Sequence, residues 1–383
     1  MKGSHFVKAI RITNIREITD GSQSAAFLGW IYSLGITTLR PHNPSPRRLT
    51  TMHLKPALVA GVAALALAST ASLSACSAPT SSSSNGECSK TYTVGFSHPI
   101  GEAEVIKALK SLAKEYSTKV GCVDLLLDNT TGMKLESQRA TVESWVTQQV
   151  DAIVLWPVDS TAFAGLQKQA QSQGTKWLTY LTSMDGQDGS VGFDNKLQGE
   201  QIAADVTEWI EKNYPDGGAT AAVTTLTTLP PSRPRYELPI KAIEAAGLKV
   251  VSEQNCTDQA CGLQIAEDAL REHPDLRIFI GLSDESAIGA MKAFKNAGID
   301  PNTVYIAGQD GSPEGLAAVK EGGMYRASSA IPMDALAASI VDAAMAAATG
   351  KGETNLVTPT VLAKADNPQL VADLIGNFER KGQ

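Results

Sequence analysis

The chain has 383 residues, with 33 Lys and Arg against 40 Asp and Glu, and this length is enough for two medium-sized lobes. The basic residues are concentrated early, because residues 1–75 hold eight Lys or Arg and two Asp or Glu. Subtracting these from the totals leaves 25 basic and 38 acidic residues, a formal net charge of −13. A surface this acidic repels phosphate backbones, which excludes nucleic acid as an expected partner.

A hydrophobic run with the pattern of a secretory signal begins at Met52. Lys55 lies in its basic start, Pro56–Ala68 forms its apolar centre, and Leu73-Ser74-Ala75-Cys76 ends it. A membrane-spanning helix needs about 20 apolar residues, and Ser and Thr interrupt the run before it reaches that length. The final quartet resembles a bacterial lipobox, in which the cysteine is lipidated and the preceding bond is cut. We expect residues 52–75 to be a lipoprotein signal peptide and Cys76 a lipid anchor; the alternative is an ordinary signal peptide with Cys76 incidental.

The segments on either side of this signal lack the pattern of a folded domain. Residues 1–51 mix scattered hydrophobic residues with prolines and show no persistent period. We expect them to be either an over-called translation start or an unstructured extension. Residues 76–87 are rich in serine, which predicts a flexible tether between the anchor and the folded part of the chain.

Five cysteines are present, and four remain once the candidate lipid anchor is set aside. These four are Cys88, Cys122, Cys256 and Cys261. An even number in an exported, oxidising setting predicts two disulfides. The last two enclose a four-residue loop that can close locally, and the first two each precede a predicted strand, where parallel neighbours can bring them together. A metal site is the rival interpretation, but residues 76–383 contain only His98 and His273 and no clustered ligands, so we expect no metal and no cofactor.

From residue 91 onward, short β-rich runs alternate with longer runs of helical period. The first half predicts strands at 91–96, 123–127, 152–156, 176–181 and 190–193, and helices at 102–116, 134–149 and 161–172. The second half predicts helices at 198–213, 236–246, 263–272, 285–297, 315–321 and 333–349, and strands at 219–226, 249–253, 277–281, 304–307 and 324–328. This alternation is typical of βαβ units and predicts an α/β fold with parallel sheets.

A faint internal repeat indicates two similar lobes. Asp151–Asp159 and Leu276–Asp284 are both apolar strands that end near an aspartate and lead into a predicted helix. A chance match between two α/β units is the alternative explanation.

The residues at the strand ends form a more specific pattern than the alternation. In chain order they are Gly95–Pro99, Val150–Asp159, Val191–Asn195, Arg233–Arg235, Gly262–Gln264, Ser283–Glu285, Gly308–Gly315 and Ile331–Pro332. Over about residues 91–362, this succession resembles the ribose-binding branch of the periplasmic solute-binding proteins of type I fold, which serve ABC importers. The resemblance implies two Rossmann-like lobes joined by a three-crossover hinge, with a small ligand beyond the carboxyl ends of the strands.

The same resemblance implies where the chain passes between the lobes. The crossings are expected near Phe193–Asp194, Ala330–Ile331 and Leu362–Ala363. The N-terminal lobe then comprises residues 88–193 and 331–362, and the C-terminal lobe residues 194–330 and 363–383.

The resemblance also implies which side chains meet the ligand. The implied set, all at or just after predicted strand ends, is Ser97, His98, Asp128, Trp156, Arg233, Ser283 and Asp310. Arg233 matches the family's ligand-clamping arginine and Asp310 its acceptor for sugar hydroxyls. A planar guanidinium donates a fork of hydrogen bonds and a carboxylate accepts them, which suits a polyol. Trp156 is placed to stack on the apolar face of a sugar.

The chain departs from the sugar-binding pattern in three places. Leu181-Thr182 stands where sugar binders often have Asp-Arg, Val105-Ile106 replaces paired phenylalanines, and Ala330 replaces a glutamine. These changes remove an acceptor, a donor and a stacking surface. The pattern therefore predicts a sugar or polyol without specifying a pentose.

Several of the implied ligand residues also have ordinary structural interpretations. Trp156 suits the core, and His98 suits a helix cap or an exposed position. Asp310 suits a turn, and Arg233 suits a surface ion pair.

Motifs of catalysis are absent from the sequence, which has no nucleophile elbow, no His-Glu-x-x-His and no phosphate loop ending in Lys-Ser/Thr. We therefore expect a monomeric, non-enzymatic lipoprotein, exported and lipid-anchored on the outer face of the cytoplasmic membrane. It captures a small polar solute, a sugar or polyol, for an ABC transporter permease. The alternatives are a ligand-sensing module for a receptor kinase and an envelope glycoside hydrolase.

Overall fold

The computed structural model describes residues 90–379. The expectations for the signal peptide, the tether, Cys76 and Cys88 therefore lie outside the described residues. Within them, no helix has the length and apolar character needed to cross a membrane. Strands and helices alternate through this part of the chain, as the sequence predicts.

The first lobe is built on a six-stranded sheet in which every pairing is parallel. Numbered in chain order, its strands are β1 (Tyr92–Ser97), β2 (Val123–Leu127), β3 (Ala152–Leu155), β4 (Lys176–Tyr180), β5 (Gly189–Phe193) and β11 (Asn355–Thr358). Its helices are α1 (Glu104–Val120), α2 (Leu135–Thr147), α3 (Ser160–Ser172) and α9 (Met333–Thr349). Strand β3 is buried at every residue, as expected for a parallel strand covered on both faces.

The second lobe has its own six-stranded sheet, parallel except for the pairing of its last strand. Its strands are β6 (Thr220–Thr225), β7 (Lys249–Asn255), β8 (Leu276–Ile280), β9 (Tyr305–Asp310), β10 (Tyr325–Ala330) and β12 (Val361–Lys364). Its helices are α4 (Asn195–Asn213), α5 (Pro234–Ala245), α6 (Gln259–Glu272), α7 (Asp284–Asn296), α8 (Pro313–Glu321) and α10 (Pro368–Glu379). Strand β12 runs antiparallel to β10.

The two sheets repeat one strand order. The first runs β11-β5-β4-β3-β1-β2 and the second β12-β10-β9-β8-β6-β7. Strands β3 and β8, which carry the internal sequence repeat, occupy the same position in their sheets. The fold is therefore the predicted pair of Rossmann-like lobes with the expected doubly wound topology.

The chain passes between the lobes three times. The first two crossings, between β5 and α4 and between β10 and α9, lie at Asp194 and at Ile331–Pro332, near their expected positions. The third was expected at Leu362–Ala363, but Leu362 already pairs with β10 of the second sheet. The crossing is the two-residue link Pro359–Thr360 between β11 and β12. Proline has no N–H to donate to a sheet, which explains why β11 ends before it.

Helix α9 completes the core of the first lobe. Nine of its seventeen residues are buried, most of them alanine, isoleucine, leucine or valine. They pack with strand residues such as Val94, Phe96 and Leu178 in one hydrophobic cluster. The first lobe therefore draws its core from two segments separated by the whole second lobe.

Two glycines let α6 and α7 of the second lobe lie against each other. A Cβ built on Gly262 would overlap the carbonyl oxygen of Ser286, and one on Gly289 would overlap that of Gln259. Each helix therefore uses a glycine where the backbone of its partner comes closest. This close packing explains why a glycine follows Cys261 in the helical pattern.

The described cysteines are all in disulfides. Cys256 and Cys261 form the predicted local disulfide between the end of β7 and the first turn of α6. Cys122 is also disulfide-bonded. Its predicted partner, Cys88, lies outside the described residues, so that pairing stays a prediction.

Candidate ligand-binding site

The carboxyl ends of the parallel strands carry the predicted ligand residues of both lobes. We use "first-lobe rim" for Ser97, His98, Asp128 and Trp156, and "second-lobe rim" for Arg235, Ser283 and Asp310. Parallel strands direct their carboxyl ends to one edge of a sheet, so side chains that follow different strands become neighbours there. The structure shows such contacts within each rim, as described below.

Asp128 is the polar centre of the first-lobe rim and is buried. Its Oδ2 accepts a hydrogen bond from Ser97 Oγ at 2.7 Å, and its Oδ1 accepts one from the His98 N–H at 3.4 Å. Lys110, from α1, lies 3.0 Å from the same Oδ1 and also donates to the Asp128 carbonyl at 2.8 Å. A buried carboxylate requires this degree of pairing. Asp128 is thus occupied by its own lobe and fixes the backbone on which His98 sits.

His98 is buried and electrically neutral. Burial, with a smaller contribution from the charge of Lys110, lowers the pKa of its imidazole to about 3. Its Nδ1 accepts a hydrogen bond from the Ile100 N–H at 3.4 Å, which assigns the ring proton to Nε2. At neutral pH the ring therefore has an Nε2–H donor and no charge.

Three aromatic rings surround that of His98. Its centroid lies 4.9 Å from that of Trp156, 5.6 Å from that of Tyr180 and 6.4 Å from that of Phe96, all in edge-on arrangements. Such edge-to-face contacts are favourable because the positive edge of one ring meets the negative face of another. Of these four rings, Trp156 is partly exposed and the other three are buried, so the first-lobe rim presents the Trp156 ring on an aromatic, uncharged support.

Gln138, on α2, ties the rim segments together from behind. Its Nε2 donates to Ser97 Oγ at 2.9 Å and to the Trp156 carbonyl at 2.7 Å. Its Oε1 accepts from the Val158 N–H at 2.9 Å. One fully buried amide therefore connects the ends of β1 and β3.

In the second-lobe rim, Arg235 and Asp310 form an ion pair. Arg235 Nη2 lies 2.6 Å from Asp310 Oδ1 and 2.5 Å from the Leu282 carbonyl, and its Nε donates to Gln309 Oε1 at 3.3 Å. The arginine is buried, whereas the Asp310 side chain is 30% exposed. A fixed guanidinium and a partly exposed carboxylate provide a donor and an acceptor side by side.

Arg233 lies two residues earlier, on the surface. Its side chain is 61% exposed and forms an ion pair with Glu237, one helical turn along α5, at 2.8 Å. In the structure Arg235, not Arg233, is the arginine that meets Asp310. The role of Arg233 toward a ligand stays a prediction.

Ser283 caps helix α7. Its Oγ accepts from the Ser286 N–H at 3.2 Å and donates to the Thr257 carbonyl at 2.9 Å, inside the disulfide loop. The side chain thereby satisfies a backbone donor of the first turn, as N-cap serines do. It also connects α7 with the Cys256–Cys261 loop.

Asp284, which follows the cap, is a buried carboxylate beneath Asp310. Burial raises its pKa to about 7, against hydrogen bonds from Tyr325 and Ser328 and from the Ser312 N–H that favour the charged form. The three donor distances are 2.7, 3.0 and 2.6 Å. Asp284 thus holds the turn that follows Asp310, the last residue of β9.

The charge of Asp310 in the second-lobe rim acts on a tyrosine of the first lobe. Burial, and after it the charge of Asp310 in the second lobe, raises the pKa of the first-lobe Tyr180. Asp310 has φ 95° and Leu181, which follows Tyr180, has φ 56°. Residues other than glycine are uncommon in this region, and such strain is concentrated at functional sites. The ends of β4 and β9 thus carry two strained residues, and the charge of one of them reaches the other lobe.

The structure brings some of the predicted residues together and shows further residues among them. Ser97, His98, Asp128 and Trp156 are brought together in the first lobe, and Ser283 and Asp310 lie near each other in the second. The structure adds four residues: Lys110, Gln138, Tyr180 and Arg235. Among the described residues no group of three or more His, Cys, Asp or Glu side chains is placed to hold a metal ion.

Comparison with known sequences identifies the family of the chain. Residues 94–352 match the family model described as "Periplasmic binding protein domain". A relative named ribose import binding protein RbsB, from Bacillus subtilis (strain 168), is 29% identical over 248 residues, which are 62% of this chain and 76% of the relative. A protein named galactofuranose-binding protein YtfQ, from Escherichia coli (strain K12), is 27% identical over 245 residues, 60% of this chain and 74% of the relative.

Solved structures share the fold. A protein described as a periplasmic ribose ABC transporter from Conexibacter woesei has a TM-score of 0.65 at 20% identity, covering 75% of this chain and 96% of that one. An ABC transporter solute-binding protein from Bacillus halodurans C-125, solved with bound myo-inositol, has a TM-score of 0.62 at 22% identity, covering 76% of this chain and 99% of that one.

Proposed function

This chain belongs to the periplasmic binding protein family, and from that membership we propose that it captures a small sugar or polyol and delivers it to an ABC importer. It does so as an exported, lipid-anchored monomer. The observation that carries the proposal is the pair of rims at the lobe interface, one aromatic and neutral, the other built on a carboxylate and a guanidinium.

This combination suits a cyclic polyol. A sugar ring has an apolar face of C–H groups, which stacks on aromatic side chains such as Trp156, and a hydroxyl edge. Asp310 accepts hydrogen bonds from hydroxyl groups, and Arg235 donates them. Relatives named for the binding of ribose and galactofuranose, and a structural neighbour solved with bound myo-inositol, support the same class.

Closure of the lobes follows from ligand contacts made by both rims. A ligand that touches Trp156 and Asp310 together has more contacts when the lobes are closed than when they are open. It therefore shifts the equilibrium toward the closed state, in which a permease finds both lobes in fixed relation. The three crossovers are the segments that bend.

The site is suited to binding without turnover. The pKa of His98 is about 3, so its ring is not a useful base or acid near neutral pH. The carboxylates of Asp128 and Asp310 are each paired with a cation, Lys110 or Arg235. Each carboxylate thus has a cationic partner within its own lobe, an arrangement that suits holding the hydroxyl groups of a ligand.

The location of the protein is proposed from its N-terminal sequence. A lipidated Cys76 holds the protein at the outer face of the cytoplasmic membrane, and the serine-rich segment after it separates the lobes from the lipid. Replacement of Cys76 with alanine in cells should release the protein from the membrane fraction. Retention of the Cys76→Ala protein in that fraction would contradict the anchor.

The experiment that tests the function is a thermal-shift panel on the folded protein with sugars, polyols, nucleosides and amino acids. A true ligand at about 100 times its Kd adds about 2.7 kcal/mol of stability. We expect a sugar or polyol to do so, and Asp310→Ala to weaken the binding at least tenfold. The control is Asp366→Asn, an exposed position after β12 at the opposite edge of the second sheet, which should bind normally. A shift only with nucleosides or amino acids, or hydrolysis of a glycoside, would overturn the proposal.

A further inference from the structure

We propose that Gln138 is a positioning residue of the ligand site, which holds Trp156 and the Ser97–His98 segment in binding geometry without touching the ligand. The inference rests on the proposed function, because it concerns the same site. It assigns a specific role to a residue on α2, a helix to which the sequence gives no part in ligand binding.

The position of Gln138 excludes direct contact with a ligand. The residue is completely buried, and both polar atoms of its side chain are used. Nε2 donates to Ser97 Oγ and the Trp156 carbonyl, and Oε1 accepts from the Val158 N–H. A ligand at the rim therefore meets the groups that Gln138 holds, not Gln138.

The hydrogen bonds of Gln138 hold the backbone at Trp156 and two residues after it. The Trp156 carbonyl accepts a hydrogen bond from Gln138 at 2.7 Å. The backbone N–H of Trp156 donates to the Ser97 carbonyl at 3.1 Å. The Val158 N–H, two residues later, is held by Gln138 at 2.9 Å. With three backbone groups fixed, the direction of the Trp156 Cα–Cβ bond is fixed as well.

The same amide also reaches His98 through a chain of contacts. Ser97 Oγ accepts from Gln138 and donates to Asp128 Oδ2 at 2.7 Å, and the other oxygen of Asp128 accepts from the His98 N–H. The rings of His98 and Trp156 lie 4.9 Å apart, edge to face. Loss of the amide releases both rings from one fixed arrangement, and the ligand then has to order them on binding.

The matched variants are Gln138→Met and Gln167→Met. Methionine keeps the approximate length and volume of glutamine but makes none of its strong hydrogen bonds. Gln167, on α3, is another buried glutamine of the first lobe, and its Nε2 donates to the Asp185 carbonyl at 3.0 Å. Both substitutions remove a buried amide, so both lower the melting temperature, and that effect alone has no bearing on the proposal.

The first measurement is affinity for the sugar or polyol found with the unaltered protein, at a temperature well below melting. We expect Gln138→Met to bind about tenfold more weakly and Gln167→Met to bind within twofold of the unaltered protein. Trp156→Ala and the double variant complete a double-mutant cycle. If Gln138 acts through Trp156, the double variant binds within threefold of Trp156→Ala alone. The proposal would be overturned if the loss of affinity in the double variant equalled the product of the losses in the two single variants. It would also be overturned if Gln138→Met and Gln167→Met lost affinity equally.

A second measurement needs no ligand and separates this inference from the proposed function. The protein is produced with 5-fluorotryptophan, and the ¹⁹F resonance of Trp156 is identified by its absence from Trp156→Phe. Gln138→Met should broaden or move this resonance and leave those of Trp177 and Trp209 in place, whereas Gln167→Met should leave the Trp156 resonance unchanged. An unchanged Trp156 resonance in Gln138→Met would refute the positioning role. Absence of sugar binding with the expected ¹⁹F change would instead refute the proposed function alone.

Discussion

At the scale of single residues, His98 shows how burial changes the chemistry of a side chain. The pKa of an unperturbed histidine is about 6.5, and burial lowers that of His98 to about 3. Between these two values the unfolded chain binds more protons than the folded protein. By linkage, the folded state therefore loses stability as the pH falls through this window, and keeps it fully above about pH 6.5.

The loss of stability at low pH should be smaller in His98→Phe, which keeps an aromatic ring but cannot titrate. From pH 7 to pH 5 the unaltered protein should lose about 2 kcal/mol more free energy of unfolding than the variant. Chemical denaturation at several pH values measures the difference.

Asp284 has the opposite effect on the pH dependence of stability. The effect of His98 therefore has to be measured as a difference from His98→Phe. Burial raises the pKa of Asp284 to about 7, so its contribution to stability is present below the unfolded value and is lost as the pH rises toward 7. Both proteins carry Asp284, so its effect cancels in the difference. Parallel stability curves for the two proteins would show that His98 is not held neutral by the fold.

The site residues that the sequence predicted and those that it missed differ in a physical way. Ser97 and Trp156 follow strands whose apolar runs mark where they end, so their place at the rim can be predicted. Gln138 and Lys110 lie on helices and reach the rim only through tertiary packing. The choice between Arg233 and Arg235 depends on where α5 begins and which side of its first turn faces β9, and the sequence does not specify this angle.

At the scale of elements, the close contact between α6 and α7 predicts that replacing glycine with alanine lowers stability at one helical position and raises it at another. Gly262→Ala places a methyl group against the Ser286 carbonyl, so α6 and α7 have to separate, and we expect a loss of about 1–3 kcal/mol of stability. Gly165→Ala, on the exposed side of α3, has no atom within 4 Å of the added carbon. It should stabilise the protein by up to about 1 kcal/mol, the difference in helix propensity.

Thermal or chemical denaturation measures the expected loss of stability in Gly262→Ala and the expected gain in Gly165→Ala. Gly165→Ala is the control for the general effect of adding a methyl group to a helical glycine. Equal changes in the two proteins would contradict the close packing of α6 on α7.

Long, periodic elements were predictable, and short late ones were not. Strand β3 and helix α1 have clear apolar patterns, and the structure places them within a few residues of the predicted bounds. Strand β11 has four residues, two of them exposed, with Val357 64% exposed, so no apolar run marks it. Neither β11 nor β12 was predicted as a strand, because each is defined by the neighbour with which it pairs.

At the scale of the whole molecule, Gln201 connects two of the crossovers. Its Nε2 donates to the Thr360 carbonyl at 2.9 Å, and its Oε1 accepts from Ser329 Oγ at 2.6 Å and from Thr360 Oγ1 at 3.2 Å. Thr360 belongs to the third crossover, and Ser329 lies in β10 just before the second. One side chain of α4 therefore attaches the third crossover to the second lobe.

Gln201→Met should loosen this attachment and widen the range of lobe positions in the unliganded protein. Dye pairs at Lys168 of the first lobe and Lys241 of the second, both exposed, would show a broader distance distribution by single-molecule fluorescence transfer. Loss of these hydrogen bonds should also cost about 1–3 kcal/mol of stability. Gln264→Met, on the exposed surface of α6, is the matched control and should leave the distribution as it is. An identical distribution in Gln201→Met would show that the hinge is restrained elsewhere.

The contribution of α9 to the first lobe has a consequence for the order of events during biosynthesis. The strands β1–β5 leave the ribosome well before α9, because all of the second lobe up to β10 lies between them. Until α9 follows, the apolar cluster that contains Val94 and Phe96 has α1 but lacks all of the residues that α9 supplies. The second lobe, in contrast, has most of its sheet in one continuous segment. We therefore expect the second lobe to gain protection from proteases first in a series of nascent chains of increasing length, although its residues are made later.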